Sequence, residues 1–387
     1  MLERQKPMKI ACTGKGWMPE TTGGLDKYAY GLVHELTRQG DHVDYFVVGT
    51  PVAWDAHART VSLAALDDSL PKRMLDARAQ YAREYREPYD VCNIHFAMYA
   101  LPLLPYISKR TPRVVNFQGP WSQESRFEGD NQFSVAIKHQ LEKFVYHQAD
   151  RFIVLSNAFG DLLSNSYGIQ RSRITTIPMG IDCDFFVPAD GRAKAREALG
   201  WPKDVFTVFT ARRLVRRVGL VELIETAAIM KASGVSVAIR IAGKGPLAAE
   251  LRDRIEQLNV GDIVELVGFV SEEELARCFQ AADLTFLPTQ SLEGFGTIIS
   301  ESLACGTPVA GTPIGGITEA IGAFAPQLIC ETAKPADMAA LLLSIARGGR
   351  PLPAAADARA FAVETYAWPS VARRVREVFA LAGQDRG

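Results

Sequence analysis

The chain has 387 residues, a formal net charge of -1 and 48% hydrophobic residues. This length exceeds the usual size of a single hydrophobic core, so we predict two domains. Because positive and negative charges balance, the composition gives no support for a nucleic-acid-binding protein. The six cysteines are scattered, with no C-x-x-C pair. That spacing indicates reduced core thiols and excludes a disulfide framework.

Neither the N-terminus nor the apolar runs indicate export or a membrane span. The first seven residues are mostly polar and lead directly into a predicted strand, so we expect no signal peptide. The apolar runs at residues 99–107 and 338–346 are too short or too interrupted by proline to cross a bilayer. We therefore expect a cytoplasmic protein that is at most peripheral at the inner face of the membrane.

The N-terminal half predicts a parallel α/β domain. A strand at residues 9–14, a helix from Leu25 to Arg38 and a strand at residues 43–48 form an opening βαβ unit. Further strand-like runs recur, with helical patterns between them, at residues 91–96, 113–118, 151–156 and 174–178. Residues 1–187 are therefore predicted to be one Rossmann-like domain.

A helix predicted over residues 70–87 carries several lysines and arginines. A stripe that faces a membrane or an acceptor would have this composition, and so would a solvated helix face. We favour the solvated face.

The C-terminal half repeats the same pattern. Strands are predicted at residues 206–211, 237–243, 263–268 and 284–288, each followed by a helical segment. We assign residues 188–365 to a second Rossmann-like domain and residues 366–387 to a final amphipathic helix. The fold class is therefore α/β, with two doubly wound domains and a cleft between them.

The stretch from Glu293 to Glu301 combines a Gly-rich loop with the start of a short helix. The backbone N–H groups of Gly296, Thr297 and Ile298 would lack intrahelical partners, and the helix dipole adds positive potential there. Such a helix start binds anions. Two carboxylates beside an anion site suit a ligand that has both phosphate and hydroxyl groups, such as a nucleotide sugar. An ordinary βα turn with solvated glutamates fits the same spacing.

Other candidate residues follow predicted strands. Gly23 and Gly24 begin the first helix and would let an anion approach the backbone closely. His95 and Gln118 come directly after strands, where parallel sheets bind ligands. Arg212, Arg213, Arg216 and Arg217 crowd one βα junction, which fits a phosphate clamp.

Several other motifs are absent or weak. No complete dinucleotide fingerprint and no P-loop occur in the sequence. The pair Asp182 and Asp184 has the spacing of a metal-diphosphate motif, but turn and capping roles fit its position better.

Seven landmarks together resemble the family-4 retaining glycosyltransferases of the GT-B fold, across essentially the whole chain. In chain order they are Gly23-Gly24-Leu25; Gly119-Pro120-Trp121 with Glu124-Ser125; Ile177-Pro-Met-Gly-Ile-Asp182; Arg213-Leu214 with Gly219; Ala242-Gly-Lys-Gly-Pro246; Gly268-Phe-Val270; and Glu293 to Glu301.

The resemblance implies a nucleotide-sugar donor on the C-terminal domain and an acceptor mainly on the N-terminal domain, with the final helix crossing back to the first domain. Glu293 would contact the transferred sugar and Glu301 the ribose. The resemblance implies that the diphosphate is bound by Arg213, Arg217, Gly24, Gly296, Thr297 and Ile298. It implies that the base is bound by Gly243, Phe269 and Val270. The acceptor side would include His95, Trp121 and Glu124.

The implied chemistry needs positively charged protein groups that face the leaving diphosphate anion, and it needs no general acid. In this fold arginines and a helix start replace a metal, so we expect no cofactor and no divalent cation. The resemblance also implies that the anomeric configuration is retained and that a phosphate oxygen takes the acceptor's proton. Bacterial polysaccharide or glycolipid assembly is the setting most common for such chains. A lipid-linked glycan, another sugar and a small aglycone all remain open as acceptors.

Two positions depart from the family pattern. Gln118 stands where the family usually has histidine. The glutamine amide donates and accepts hydrogen bonds but cannot be protonated to a cation as histidine can. Val218 stands where the family has a phosphate-binding lysine, and Arg216 or Arg217 is a candidate replacement. We count Gln118, Glu293 and Arg213 as catalytic. The alternatives are a nucleotide-sugar-binding pseudoenzyme and an epimerase or phosphorylase of the same fold.

Overall fold

The computed structural model describes residues 6–21, 23–50 and 58–386. The first five residues, part of the segment from which we expect no signal peptide, lie outside this description. The chain divides into two compact units. Met1–Gly180 and Trp368–Gly387 form the first, and Ile181–Ala367 forms the second. Each unit contains a parallel sheet with helices, which confirms the predicted fold class of two doubly wound α/β domains.

The first unit contains a seven-stranded sheet with strand order β3-β2-β1-β4-β5-β6-β7. Its strands are β1 (Lys9–Thr13), β2 (His42–Val47), β3 (Ala58–Ser62), β4 (Val91–Ile94), β5 (Arg113–Phe117), β6 (Arg151–Val154) and β7 (Ile174–Thr176). All pairs are parallel. Strand β3 was not predicted from the sequence; it is an edge strand whose side chains are partly exposed and only weakly apolar. Such a strand carries little hydrophobic signal.

In the described part of the chain, six α-helices of the first unit precede the linker to the second unit. They are α1 (Gly24–Arg38), α2 (Leu70–Glu84), α3 (Ala97–Ala100), α4 (Trp121–Phe127), α5 (Gln132–Tyr146) and α6 (Asn157–Tyr167). Helix α2 ends at Glu84, before the predicted residue 87, because its C-cap residue Tyr85 has an extended backbone. On its surface Lys72 pairs with Asp68 and Asp76, so that part of the basic stripe is a solvated, charge-balanced face.

The second unit contains a five-stranded parallel sheet with strand order β10-β9-β8-β11-β12. Its strands are β8 (Phe206–Ala211), β9 (Val237–Ala242), β10 (Val264–Gly268), β11 (Leu284–Leu287) and β12 (Val309–Gly311). Its helices are α7 (Arg192–Leu199), α8 (Leu220–Ala232), α9 (Ala248–Gln257), α10 (Glu272–Ala281), α11 (Thr297–Ala304), α12 (Gly316–Gly322), α13 (Pro335–Ala346) and α14 (Ala355–Tyr366).

Both sheets reverse their winding direction at one point. In the first unit the chain winds from β1 to β3 on one side and then restarts at β4 on the other side of β1. In the second unit the same reversal separates β8 from β11. Loops at the carboxyl ends of the two strands diverge at such a switch point and leave a crevice, where α/β proteins bind ligands.

The last helix, α15 (Trp368–Gln384), belongs to the first unit. The Trp368 ring lies so close to Gly31 and Gly180 that a Cβ atom would come within 2.3 Å and 2.2 Å of it, respectively. The guanidinium of Arg376 forms a buried ion pair with Asp41 and donates to the Lys6 carbonyl at 3.0 Å. Helix α15 is therefore held by close packing at its start and by a buried charge pair near its middle.

Three smaller predictions are also decided by the structure. The Asp182 Oδ1 atom accepts hydrogen bonds from the backbone N–H of Asp184 at 2.9 Å and of Phe185 at 3.0 Å, which confirms the turn role. All six cysteines are free and five are buried, as predicted. Among the described residues, no helix has both the length and the apolar content that a membrane crossing requires.

Replacing Arg376 with alanine should destabilise the first unit by about 3 kcal/mol, because the Asp41 carboxylate would stay buried without its partner. Urea unfolding of the full chain measures the change. Arg373, which is exposed on the same helix, provides the control, and Arg373→Ala should change stability by less than about 0.5 kcal/mol. Equal effects of the two substitutions would contradict the role of the buried pair.

Candidate functional site

An ion pair lies at the switch point of the second unit. Arg212 directly follows β8, and Glu293 lies in the loop after β11. The Arg212 guanidinium contacts the Glu293 carboxylate, and the two side chains are only 9% and 12% exposed. Since β8 and β11 are neighbours in the sheet, the strand order itself brings together two residues that are far apart in sequence.

The Glu293 carboxylate is ionised in this environment. Burial by itself raises the pKa of Glu293, but the positive charges of Arg212 and Arg217 lower it more, so the net pKa lies below the ordinary value. At neutral pH the side chain is therefore an acceptor of hydrogen bonds and not a proton donor.

Arg217 joins the same two loops. Its Nη1 atom donates to the Leu292 carbonyl at 2.9 Å, and its own carbonyl accepts from the backbone N–H of Gln290 at 2.8 Å. Leu292 adopts a φ of 50°, which is unusual for a non-glycine residue. The loop that carries Glu293 is thus held in a tight conformation by Arg217.

The remaining arginines of this junction have different surroundings. Arg213 is exposed. Arg216 is also exposed and pairs with Glu250 at 2.8 Å on the surface. Val218, at the position where the resemblance expects lysine, is buried in the core. Of the two candidate replacements, Arg217 is the one whose positive charge lowers the pKa of Glu293.

The predicted helix start is present. Helix α11 begins at Thr297, with Gly296 as its N-cap at a φ of 81° and no side-chain cap. Ile298 and Glu301 are both buried. A side chain at position 296 would lie 2.7 Å from Leu287, so glycine is required here for packing as well as for backbone conformation.

The residues predicted to bind the base lie at the ends of β9 and β10. Gly243 adopts a φ of 139°, and a Cβ atom there would come within 1.8 Å of the Arg212 carbonyl oxygen. Its backbone N–H donates to the Gly268 carbonyl at 2.6 Å. The exposed Phe269 ring lies 4.2 Å from the Lys244 Nζ atom, and Val270 is partly exposed beside it.

In the first unit, His95 lies at the switch point but is buried. The Tyr28 hydroxyl donates to Asn116 at 3.0 Å, Asn116 donates to Asn93, and the Asn93 amide contacts His95 Nε2 at 2.9 Å. Burial lowers the pKa of His95 to about 3, so the ring is neutral at physiological pH. Its Nδ1 atom is buried and has no hydrogen-bond partner among the described residues.

The other predicted residues of the first unit follow β5 or begin α1. The buried Gln118 Nε2 atom has no partner in the part of the chain that the structure describes, which leaves a donor available. The Glu124 carboxylate bends back toward Gly119, 3.2 Å from where a Cβ atom would stand. Trp121 is the first residue of α4, and Gly24 is the exposed first residue of α1.

The predicted residues therefore fall into two groups, one in each unit. Those of the second unit line neighbouring strand ends, and those of the first unit follow β4 or β5 or begin α1. The ion pair between Arg212 and Glu293 was not predicted from the sequence, where Arg212 was only one of four arginines assigned to a phosphate clamp. The crowding of arginines was the available signal, but the partner of each arginine depends on the strand order.

Replacing Arg212 with alanine should cost about 3 kcal/mol of stability at neutral pH, because the Glu293 carboxylate would lose its main partner. Ionised Glu293 stabilises the wild type above its unfolded-state pKa, and this stabilisation disappears as the pH falls through the lower folded-state pKa. In Arg212→Ala that acid-dependent loss should shrink, as measured by urea unfolding between neutral and acidic pH.

Arg216→Ala is the matched control, since its ion pair with Glu250 is exposed. Its cost should be below about 1 kcal/mol. Equal costs for Arg212→Ala and Arg216→Ala, or unchanged acid dependence, would show that the buried pair does not contribute as described.

Two family models and several curated proteins match this chain. Residues 191–362 match the family described as "Glycosyl transferases group 1", and residues 22–185 match "Glycosyltransferase Family 4". A D-inositol 3-phosphate glycosyltransferase from Kineococcus radiotolerans is 26% identical, over 94% of this chain and 92% of its own length. The enzyme of the same name from Pseudarthrobacter chlorophenolicus is 33% identical, over 45% of this chain and 42% of its own length.

Solved structures share the fold. Sucrose-phosphate synthase from Thermosynechococcus elongatus superposes with a TM-score of 0.76 at 21% identity and covers 97% of this chain and 98% of its own. The Anabaena protein HepE in complex with UDP-glucose gives 0.74 at 18%, covering 97% and 100%. These structures share the GT-B fold with this chain, and the two family matches, over residues 22–185 and 191–362, show that the chain belongs to the family-4 (group 1) glycosyltransferases.

Proposed function

We propose that this glycosyltransferase moves a hexosyl group from a nucleotide-diphosphate sugar to a hydroxyl group of an acceptor, with retention of the anomeric configuration. The observation that carries the proposal is the pair of Arg212 and Glu293 at the switch point of the second unit. Arg217 and the start of α11 lie on the same two loops as this pair. This arrangement combines an ionised carboxylate with positive charge, which matches the needs of a sugar joined to a diphosphate.

The positive groups would act on the leaving diphosphate. Negative charge develops there as the glycosidic bond breaks, and preorganised donors that face this charge lower the barrier. Arg213, Arg217 and the amides of Gly296, Thr297 and Ile298 are the proposed donors. Arginines bind phosphate oxygens in two-pronged fashion. We therefore propose that the reaction needs neither a divalent cation nor another cofactor.

The carboxylates and amides would position the sugar and the nucleotide. Ionised Glu293 would accept hydrogen bonds from hydroxyls of the transferred sugar, and Glu301 from those of the ribose. The Nε2 atom of Gln118, which has no hydrogen-bond partner among the described residues, would donate to a sugar hydroxyl. A phosphate oxygen of the donor would take the proton of the attacking hydroxyl, so no protein base is required.

The proposed contacts of the donor's base lie at the ends of β9 and β10. HepE is described in complex with UDP-glucose, and starch synthase IV from Arabidopsis thaliana, another protein of the same fold, with ADP. Phe269 and Val270, with the turn at Gly243, are the proposed contacts of the base, whichever it is. We propose that the enzyme acts at the cytoplasmic side of the membrane, in the assembly of a bacterial polysaccharide or glycolipid.

The first test is release of nucleoside diphosphate from a panel of UDP-, GDP- and ADP-sugars. One donor should be hydrolysed slowly, with or without chelator, and Glu293→Gln should lower this rate by about 100-fold or more. Glu250→Gln, which changes an exposed carboxylate of the same unit, should leave the rate unchanged. Loss of activity with chelator would refute metal independence, and tight nucleotide binding without turnover would favour the pseudoenzyme.

A second test separates the two arginines that could replace the missing lysine. Arg217→Gln removes the positive charge of the side chain and keeps an amide N–H donor. We expect nucleoside diphosphate to bind about 10-fold more weakly to this variant, the value of one charged hydrogen bond. Arg216→Gln should bind normally, as measured by calorimetry. The opposite ranking would assign the phosphate contact to Arg216.

A further inference from the structure

The first unit contains an apolar groove that none of the proposed donor contacts explains. A cavity of about 290 Å³ is lined by residues from the helices α2, α4 and α5 and by Met98 of α3. Its apolar walls include Leu70, Met74, Met98, Trp121, Phe133 and Ile137. Pockets with mainly apolar walls and a few polar groups are typical binding sites for small molecules.

The polar side chains of the groove already have partners within the protein. Lys138 Nζ donates to Ser125 Oγ at 2.6 Å, pairs with Asp130 and lies 4.7 Å from the centre of the Trp121 ring. Asn131 accepts the backbone N–H of Ser134 at 2.8 Å, as the N-cap of α5. The groove therefore offers apolar surface to a ligand and little free charge, which disfavours a phosphate or carboxylate as its main occupant.

The wall at Trp121 is fixed and lies next to the proposed reaction residues in sequence. The backbone N–H of Trp121 donates to the buried carboxylate of Glu142 at 2.7 Å, and the Tyr167 hydroxyl donates to the same carboxylate at 2.8 Å. Trp121 closely follows β5 and Gln118, at the edge of the sheet where parallel strands present ligand-binding residues. The groove thus starts at the acceptor side of the first unit.

The rim of the groove is unusually apolar for a protein surface. Phe133 and Ile137, which line the cavity, lie one turn apart on α5 and are exposed, Phe133 by 77%. Phe144 continues the same exposed face of α5 beyond the cavity. Leu70 of α2 is also exposed and lines the same cavity as Phe133 and Ile137. Exposed apolar patches of this kind mark sites that bind apolar ligands, membranes or proteins.

We propose that this groove binds the hydrocarbon part of the acceptor, so that the acceptor is an amphiphile such as a lipid-linked saccharide. The inference rests on the proposed transferase activity, since it concerns that reaction's acceptor. The cavity lies at the small end of the range for ligand pockets. A folded partner protein would bury about 800 Å² on each side, and its contacts would not be confined to one narrow groove. The sugar hydroxyl would then lie toward Trp121 and Glu124, with the chain running toward Phe133.

Quenching of tryptophan fluorescence by brominated alkyl maltosides tests binding without any need for a donor. The brominated chain should quench the emission of wild type, and Trp121→Phe should lose that component. Affinity should rise about three- to fourfold for each added methylene group and then level off when the chain exceeds the groove. Equal affinity for all chain lengths would overturn the proposal.

Two matched substitutions locate the site. Ile137 is 46% exposed in the groove of the first unit, and Ile229 is 40% exposed on α8 of the second unit. Ile137→Asp should weaken binding of the brominated probe at least 10-fold, while Ile229→Asp should not change it. Equal effects of both would refute the site. The site would also be refuted if the wild type were a dimer that binds no probe and if Ile137→Asp dissociated this dimer. In that case a second copy of the chain would cover the groove.

Transfer assays link the groove to the reaction. Once a donor is known, an alkyl glycoside should have at least a 10-fold lower KM than the free sugar, with similar kcat, and Ile137→Asp should abolish the difference. Equal KM values would overturn the acceptor role. Probe binding with no donor hydrolysis would instead refute the transferase activity, so the two failures are distinguishable.

Discussion

The second unit depends on the charge pair between Arg212 and Glu293. A carboxylate this deeply buried is costly unless a cation compensates it, and here two arginines lower its pKa below the ordinary value. Arg217 meanwhile ties the loop after β8 to the loop after β11 by a hydrogen bond to the backbone. The charged groups that stabilise the loops are also those that would face a donor. The same residues therefore have a structural role and a proposed binding role.

Glycines make the close approach of these loops possible. A side chain at Gly243 would collide with the Arg212 carbonyl, and one at Gly315 would come within 2.3 Å of the Glu293 carbonyl oxygen. Both positions also have a positive φ, which other residues rarely adopt. Because the backbone is so tightly packed on both sides of the ion pair, small changes in these loops would move the charged groups. Precise placement is what electrostatic stabilisation of a transition state requires.

In the first unit, the hydrogen-bonded side chains at the switch point are uncharged. Tyr28, Asn116, Asn93 and His95 form a buried hydrogen-bonded chain at the switch point, and burial keeps the histidine uncharged. An apolar groove begins at Trp121, beyond the next strand. A neutral polar centre and an apolar groove suit an acceptor of low charge, whereas the arginines of the second unit suit a diphosphate. The two units thus differ in electrostatics although they share a fold class.

The sequence by itself determined the fold class, most strands, the family and the start of α11, because these follow from local patterns: apolar runs, glycine at helix ends and motifs in order. It did not predict β3, whose edge position leaves little apolar signal, the three-residue strand β12 or the end of α2 at Glu84. Only the tertiary structure paired Arg212 with Glu293, buried His95 and assembled the groove around Trp121. These features depend on strand order and on packing between distant segments, which no local pattern specifies.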